Sequence, residues 1–338
     1  MSPATLTPRR RAHAPPEAHG RSRDDVALLV AWRGSGELAH GRFRELWRFV
    51  GPGDLLVVNT SATLPAALPG QVDGLAIELN LSTQAAEGDW IVELRTHDRR
   101  RFGPPPIGSV VELPAGARAH LLAPYAGGRR LCLARLSLPY PLEDYLRRHG
   151  RPIRYPHADE VWPIDAYQTV FALHPGSAEM PSAGRPFSPE LVTALVARGV
   201  LLSPITLHTG VSSLERGEPP HPERYQVPAA TAQLANAVHG WGGRVIAVGT
   251  SVVRALETMV RPDGSIAAGA GLTDLIVTPE RGLTVVDGLL TGWHEPDSSH
   301  LDLLEAAAGA ELLDRSYRAA DAHGYRRHEF GDSHLILP

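Results

Sequence analysis

The chain has 338 residues, 43% of them hydrophobic and 21% charged, with a formal net charge of −4. That is length for two ordinary domains or for one with a large insertion, and the charge argues against a general nucleic-acid coat while leaving room for a local basic patch. Cys132 is the single cysteine and no lysine is present, which excludes an internal disulfide, a cysteine metal cluster, a Schiff base and a lysine general base. Every cationic contact is therefore a planar guanidinium, suited to carboxylate and phosphate. No apolar run approaches a membrane span, and the first twenty residues lack the apolar middle of a signal peptide. The expectation is a cytoplasmic protein with no membrane partner.

In chain order, Val26–Trp32 reads as a strand and Phe43–Val50 as a short amphipathic helix. Gly51–Asp54 ends that helix, and Leu55–Val58 is a buried strand leading into Asn59, Thr60 and Ser61. The texture changes after about Pro65. Leu75, Ile77, Leu79 and Leu81 alternate with other residues. Short strand-like runs follow at Trp90–Leu94, Val110–Leu113, Ala119–Leu122 and Leu131–Leu136, separated by Gly, Pro and Asp clusters. This pattern predicts a small antiparallel barrel or sandwich to about Tyr140, then a helix over Pro141–His149.

After Tyr155 the α/β texture returns. Pro189–Arg198 is a helix with Ser188 as N-cap, Val200–Leu207 a strand and Ala229–Gly240 a helix. Val245–Val248 is a strand, Gly249 a tight turn, and Thr250 and Ser251 are N-caps of a helix that carries Arg254. Leu275–Val277 and Thr284–Leu290 read as strands, Ser299–Ala308 and Glu311–His323 as helices, and Ser333–Leu337 as a last strand. No internal repeat is visible. The expected architecture is an α/β domain (residues 1–62 and 156–338) interrupted by an inserted small antiparallel β-barrel (residues 63–155).

Ligands of α/β sheets gather at the carboxyl ends of strands. Four polar stretches fall there: Met180–Phe187, Thr206–Gly210, Val248–Ser251 and Thr291–His300; a fifth, Glu329–His334, precedes the last strand. None is a nucleophile elbow, a Walker loop or a dinucleotide fingerprint. The turn at Gly249 points free backbone N–H groups at the space beyond the strand, where an anion can sit, and Arg254 lies one turn further on. His294 and His300 with Glu295 or Asp297 match no common zinc spacing, so no metal is expected.

Together these stretches resemble the S-adenosylmethionine:tRNA ribosyltransferase-isomerase family over nearly the whole chain. The resemblance rests on Pro52–Leu68, Ala166–Ala172, Pro181–Gly184, Thr206–Gly210, Ile246–Glu257, Val286–Ser299 and Phe330–Asp332, in matching order and spacing. It implies an α/β domain with an inserted barrel and a reaction in which S-adenosylmethionine gives up its ribosyl part. The acceptor it implies is 7-aminomethyl-7-deazaguanine in tRNA, the product epoxyqueuosine, and no metal is needed. Substrate contacts are expected on Ser182, Ala183, Gly184, Thr206, Thr209, Gly210, Gly249, Thr250, Ser251, Arg254, Thr291 and Trp293, and proton transfer, from the position of the histidines in polar loops after strands, on His208 and His294, with Glu295 and Asp332 as rivals. An ordinary histidine titrates near 6.5, and a carboxylate at Glu295 is expected to raise the pKa of His294.

The chain departs from the family pattern at several positions. Ala62 and Ala67 stand where the family has arginines, Pro186 replaces its histidine beside Arg185, and Val211–Leu214 replaces an Ala-Gly-Thr-Phe run. Gly292 replaces an asparagine, Glu295 an apolar residue, and Ser333 and His334 small and apolar residues. Three readings follow. One is the family reaction on tRNA. The second is a diverged enzyme that cleaves S-adenosylmethionine as a lyase or with a small-molecule acceptor. The third is a non-catalytic binder of S-adenosylmethionine or RNA. A tRNA face would draw on Arg99–Arg101, Arg129, Arg130, Arg147, Arg148, Arg151 and Arg154; a solvated barrel rim is the plainer explanation of the same residues. The oligomeric state cannot be read from the sequence.

Overall fold

The computed structural model describes residues 10–85, 88–96, 102–125, 130–155, 157–158, 160–211, 221–294 and 300–338. The chain first lays down β1 (Ala27–Trp32), β2 (Leu38–Arg42) and β3 (Leu55–Asn59). It then builds β4 (Ala67–Val72), β5 (Leu75–Gln84), β6 (Trp90–Thr96), β7 (Val110–Glu112), β8 (Arg118–Pro124) and β9 (Leu131–Ser137). After α1 (Leu142–His149) and α2 (Pro189–Val196) come β10 (Leu201–Leu207), β11 (Glu223–Val227) and α3 (Ala229–Gly240). The remaining elements are β12 (Val245–Val248), α4 (Thr250–Thr258), β13 (Gly269–Thr273), β14 (Gly288–Gly292), α5 (His300–Ala308), α6 (Ala310–Ala322) and β15 (Ser333–Leu337).

Strands β4 to β9 close an antiparallel barrel in the order β8-β9-β6-β5-β4-β7. The other strands form one nine-stranded sheet, ordered β13-β11-β10-β3-β12-β14-β15-β1-β2. At its centre β10, β3, β12 and β14 run parallel. Central parallel strands are covered on both faces, so they read as unbroken apolar runs. Leu55, Val57, Val245 and Ala247 pack with α3 to α6 on one face; Leu56, Val58, Ile246 and Val248 pack with Phe43, Phe187 and α2 on the other. The barrel has its own core, which includes Leu68, Leu79, Leu81, Val92 and Ala119.

The chain enters and leaves the barrel side by side. Ser61–Thr63 pairs in parallel with His174–Ser177, and Ala67 and Arg151 exchange backbone hydrogen bonds of 2.9 and 3.0 Å.

The structure corrects several sequence expectations. Phe43–Arg48 is a 3-10 helix rather than an α-helix. Leu275–Val277 is not a strand; the edge strand lies just before it, at Gly269–Thr273. The strand expected from Thr284 begins only at Gly288, because Thr284 and Val285 donate their backbone N–H groups to the buried Glu257 carboxylate, at 2.8 and 2.9 Å. The cap of α4 is Gly249, at φ 103°, with no side-chain hydrogen bond; Thr250 and Ser251 are its first two helical residues. Only glycine takes that φ without strain, and it turns the chain from strand to helix in one residue. Ser188 caps α2 as expected, its Oγ accepting from the Leu191 N–H at 3.2 Å.

Candidate functional site

The parallel registers align the carboxyl ends of the four central strands. Leu55 pairs with both Leu201 and Val245, and Val248 with Leu290. Thr206–Gly210, Asn59–Ser61, Gly249–Ser251 and Thr291–His294 therefore follow one edge of the sheet. The 3-10 turn Ser182–Gly184 joins them: a Cβ built on Gly249 would lie 3.4 Å from that of Ala183. No acceptor for the Thr250 or Ser251 N–H is found among the described residues. Helix-start donors of this kind favour an anion.

His208 follows β10 and borders a cavity of about 440 Å3 lined also by Thr206, Arg224, Tyr225, Gln226 and Leu272. Its Nδ1 lies 2.8 Å from Ser61 Oγ, which is 2.6 Å from Ser177 Oγ. Ser177 Oγ in turn accepts the Thr209 N–H at 3.0 Å. Gly176 is forced here, since a Cβ would sit 2.4 Å from His208 Nδ1. Burial pushes the His208 pKa down, and the neighbouring Arg224 and His174 add to it. The imidazole is therefore neutral at pH 7, with a lone pair available as a base.

The second cluster follows β14. His294 Nε2 is 3.1 Å from Thr291 Oγ1, its ring stacks on His300 at 4.6 Å, and His300 Nδ1 is 3.3 Å from Thr250 Oγ1. Burial holds His294 far below the ordinary histidine value, so the sequence expectation of a raised pKa is reversed. Glu295, named for that role, lies outside the described residues, as does Asp297. Trp293 is a core residue, stacked on His334 at 4.5 Å and edge-on to Tyr317 and Tyr325. Three strand spacings of about 4.8 Å separate His208 from His294, so one bound molecule must be long to meet both.

Arg254 differs most from its sequence reading. It is buried, ion-paired with Glu223, and donates to the carbonyls of Leu275 at 3.0 Å, Thr273 at 3.0 Å and His221 at 3.4 Å. Little donor capacity remains for a methionine carboxylate. Glu223 also accepts the Gly210 N–H at 3.1 Å, so Arg254 braces the Thr206–Gly210 loop from beneath. Among the described residues, the N–H groups of Thr250 and Ser251 are the anion donors at this edge for which no acceptor is found.

Asp332 receives two backbone N–H groups, from Ala27 and Arg326, both at 2.6 Å, and so ties β1 to the loop before β15. Burial raises its pKa despite them. Of the arginines considered for a nucleic-acid face, Arg130 is buried against Glu93 and Arg151 pairs with Glu78. Arg154 donates to the Ala158 carbonyl at 3.0 and 2.8 Å. Arg147 and Arg148 are exposed on α1; Arg99–Arg101 and Arg129 lie outside the described residues.

Sequence reasoning did not single out Ser177, Glu223 or Arg224, and reached Ser61 only as the end of a strand. Each acts through a partner far away in the chain, so no local pattern marks it.

His334 gives a stability prediction. Its ring is fully buried, and neither nitrogen has a hydrogen-bond partner among the described residues. Burial pushes its pKa down to about 3 and that of His300 to about 4. Unfolded imidazoles titrate near 6.5, so below that pH the unfolded chain binds more protons. Stability is complete above about pH 6.5 and is lost as pH falls toward the folded values, by up to about 1.4 kcal/mol per pH unit for each such histidine. Urea unfolding between pH 6 and 5 should show a shallower slope for His334→Leu than for the parent. Equal slopes would remove His334 from the acid response.

Edge loops gathered over a doubly covered sheet, with a closed barrel inserted between β3 and β10, define an α/β scaffold of enzyme type. Comparison with known proteins places it. The family described as Queuosine biosynthesis protein matches residues 5–336. The S-adenosylmethionine:tRNA ribosyltransferase-isomerase of Moorella thermoacetica is 38% identical over 326 residues, covering 93% of this chain and 94% of that one. The protein of the same name from Thermus thermophilus is 36% identical over 343 residues, covering 96% and 97%. The crystal structure of S-adenosylmethionine tRNA ribosyltransferase from Thermotoga maritima superposes with a TM-score of 0.54 at 28% identity, covering 99% of both chains. The chain belongs to the queuosine biosynthesis protein family, an enzyme family. Among the described residues no helix is long and apolar enough to cross a membrane.

Proposed function

We propose that this protein is an S-adenosylmethionine-dependent ribosyltransferase-isomerase acting on tRNA that carries 7-aminomethyl-7-deazaguanine, with epoxyqueuosine as product. The observation that carries this reading is the pair of N–H groups on Thr250 and Ser251 at the sheet edge, for which no acceptor is found among the described residues. They suit the methionine carboxylate of the donor, and the neutral His208 and His294 flank them along the same edge. The sulfonium acidifies the adjacent 5′ carbon. A neutral imidazole takes that proton, adenine leaves and the ribose ring opens. The amine of the modified base captures the sugar, methionine departs and the epoxide closes.

The second reading, a lyase or small-molecule transferase, is favoured by the engagement of Arg130, Arg151 and Arg154 in internal contacts. One experiment separates the two. The protein is incubated with S-adenosylmethionine alone and then with tRNA bearing the modified base, and all products are followed by mass spectrometry. Release of adenine and methionine only when tRNA is present, with a matching mass gain on the tRNA, is the expected result. Cleavage that ignores tRNA establishes the second reading, and no turnover in either arm leaves a binding protein.

A further inference from the structure

Behind the Pro181–Gly184 turn, two segments distant in sequence meet: the stretch after the barrel, at His157, and the loop before β15, at His328 and Glu329. His157 Nε2 lies 2.8 Å from Glu329 Oε2, and the rings of His157 and His328 stack at 3.8 Å with 16° between their planes. One ligand atom from each of the three residues falls within a common span of 4.8 Å. The His157 side chain is 6% exposed and that of Glu329 is 23% exposed. His328 holds φ at +77°, a conformation uncommon for a residue with a side chain.

We propose that His157, His328 and Glu329 form a binding site for one divalent transition-metal ion of the zinc class. Two imidazole nitrogens and one carboxylate oxygen are a borderline donor set that suits zinc, leaving a fourth position for water or another ligand. As the structure stands, His157 Nε2 and Glu329 Oε2 meet as a pair at 2.8 Å. A single dication instead uses both rings as neutral donors and the carboxylate as its charge partner. Bonds of about 2.0–2.2 Å require the stacked rings to splay through their χ angles on loading. The ion then pins the segment after the barrel to the loop before β15. That segment also carries Tyr155, whose hydroxyl accepts the Met180 N–H at 3.0 Å, one residue before the turn. The inference stands apart from the proposed reaction, which uses none of these three residues.

The test is calorimetric titration of chelator-treated full-length protein with zinc chloride. The parent should take up one ion, and His328→Asn and Glu329→Gln should each weaken binding at least tenfold; asparagine tolerates the left-handed backbone at 328. Zinc K-edge absorption on the loaded parent should report two imidazole nitrogens, a result that does not depend on any variant folding. Failure of the parent to bind, affinity unchanged by both substitutions, or a spectrum without imidazole overturns the site.

Discussion

Replacing His208 with asparagine should lower turnover by about 100- to 10,000-fold and leave S-adenosylmethionine affinity within a few-fold, the loss expected when a general base is removed. The ring is held by Ser61 Oγ at 2.8 Å, so it has one orientation, and its pKa is depressed by burial. The base form is therefore complete by neutrality, and the acid limb of the rate profile should lie below pH 6.5. His294→Asn is the matched variant on the opposite side of the edge. Single-turnover release of adenine, with donor affinity measured separately by calorimetry, distinguishes loss of chemistry from loss of binding. If both variants stay within a few-fold of the parent, the two histidines are structural and the proton leaves by another route. Glu295→Leu completes the set: a change of product in that variant alone would mark position 295 as a point where the reaction has diverged.

Arg254→Ala should destabilise the protein by about 3 kcal/mol, because it strands the largely enclosed Glu223 carboxylate, whose side chain is 16% exposed. As a substrate contact, the role the sequence assigns it, Arg254 would instead affect donor binding. The geometry makes stability the larger effect and loop order the next, through the Glu223 contact to the Gly210 N–H. Desolvation already raises the Glu223 pKa, and without Arg254 it must rise further above the unfolded value. A protonated Glu223 costs less to bury. The deficit is therefore smaller in acid, grows as pH rises above the parent's folded Glu223 pKa, and levels off above the variant's. Denaturant midpoints at pH 5 and pH 8 check the sign. Equal midpoints for variant and parent would mean that the pair contributes nothing.

The elements that were legible in the sequence carry their own pattern. Leu55–Val58 and Val245–Val248 are buried on both faces and so are uniformly apolar. Leu79 and Leu81 alternate because the barrel has an inside and an outside. The edge strands were harder. Gly269–Thr273 has little apolar content, and it exists because β11 offers it a ladder, not because its residues favour extension. The candidate site divides the same way. His208, Gly249 and Thr250 sit in motifs at strand ends, where a reader looks. The partners that decide what those residues can do, Glu223 beneath Arg254 and Ser61 beside His208, lie 31 and 147 positions away. Burial around His294 likewise has no signature in the residues next to it, so the direction of its pKa was misjudged.

The chain approaches the barrel through Ser61–Thr63, and His174–Ser177 runs in parallel beside that segment. The hydroxyls of Ser61 and Ser177 that touch across this seam are the ones that hold the His208 ring and the Thr209 N–H. Ser61 and Ser177 belong to neither the barrel nor the nine-stranded sheet, so the ring is held by the short seam between them. The aim of this base is therefore set by two hydroxyls that stand 116 positions apart in the chain, not by the strand that carries it.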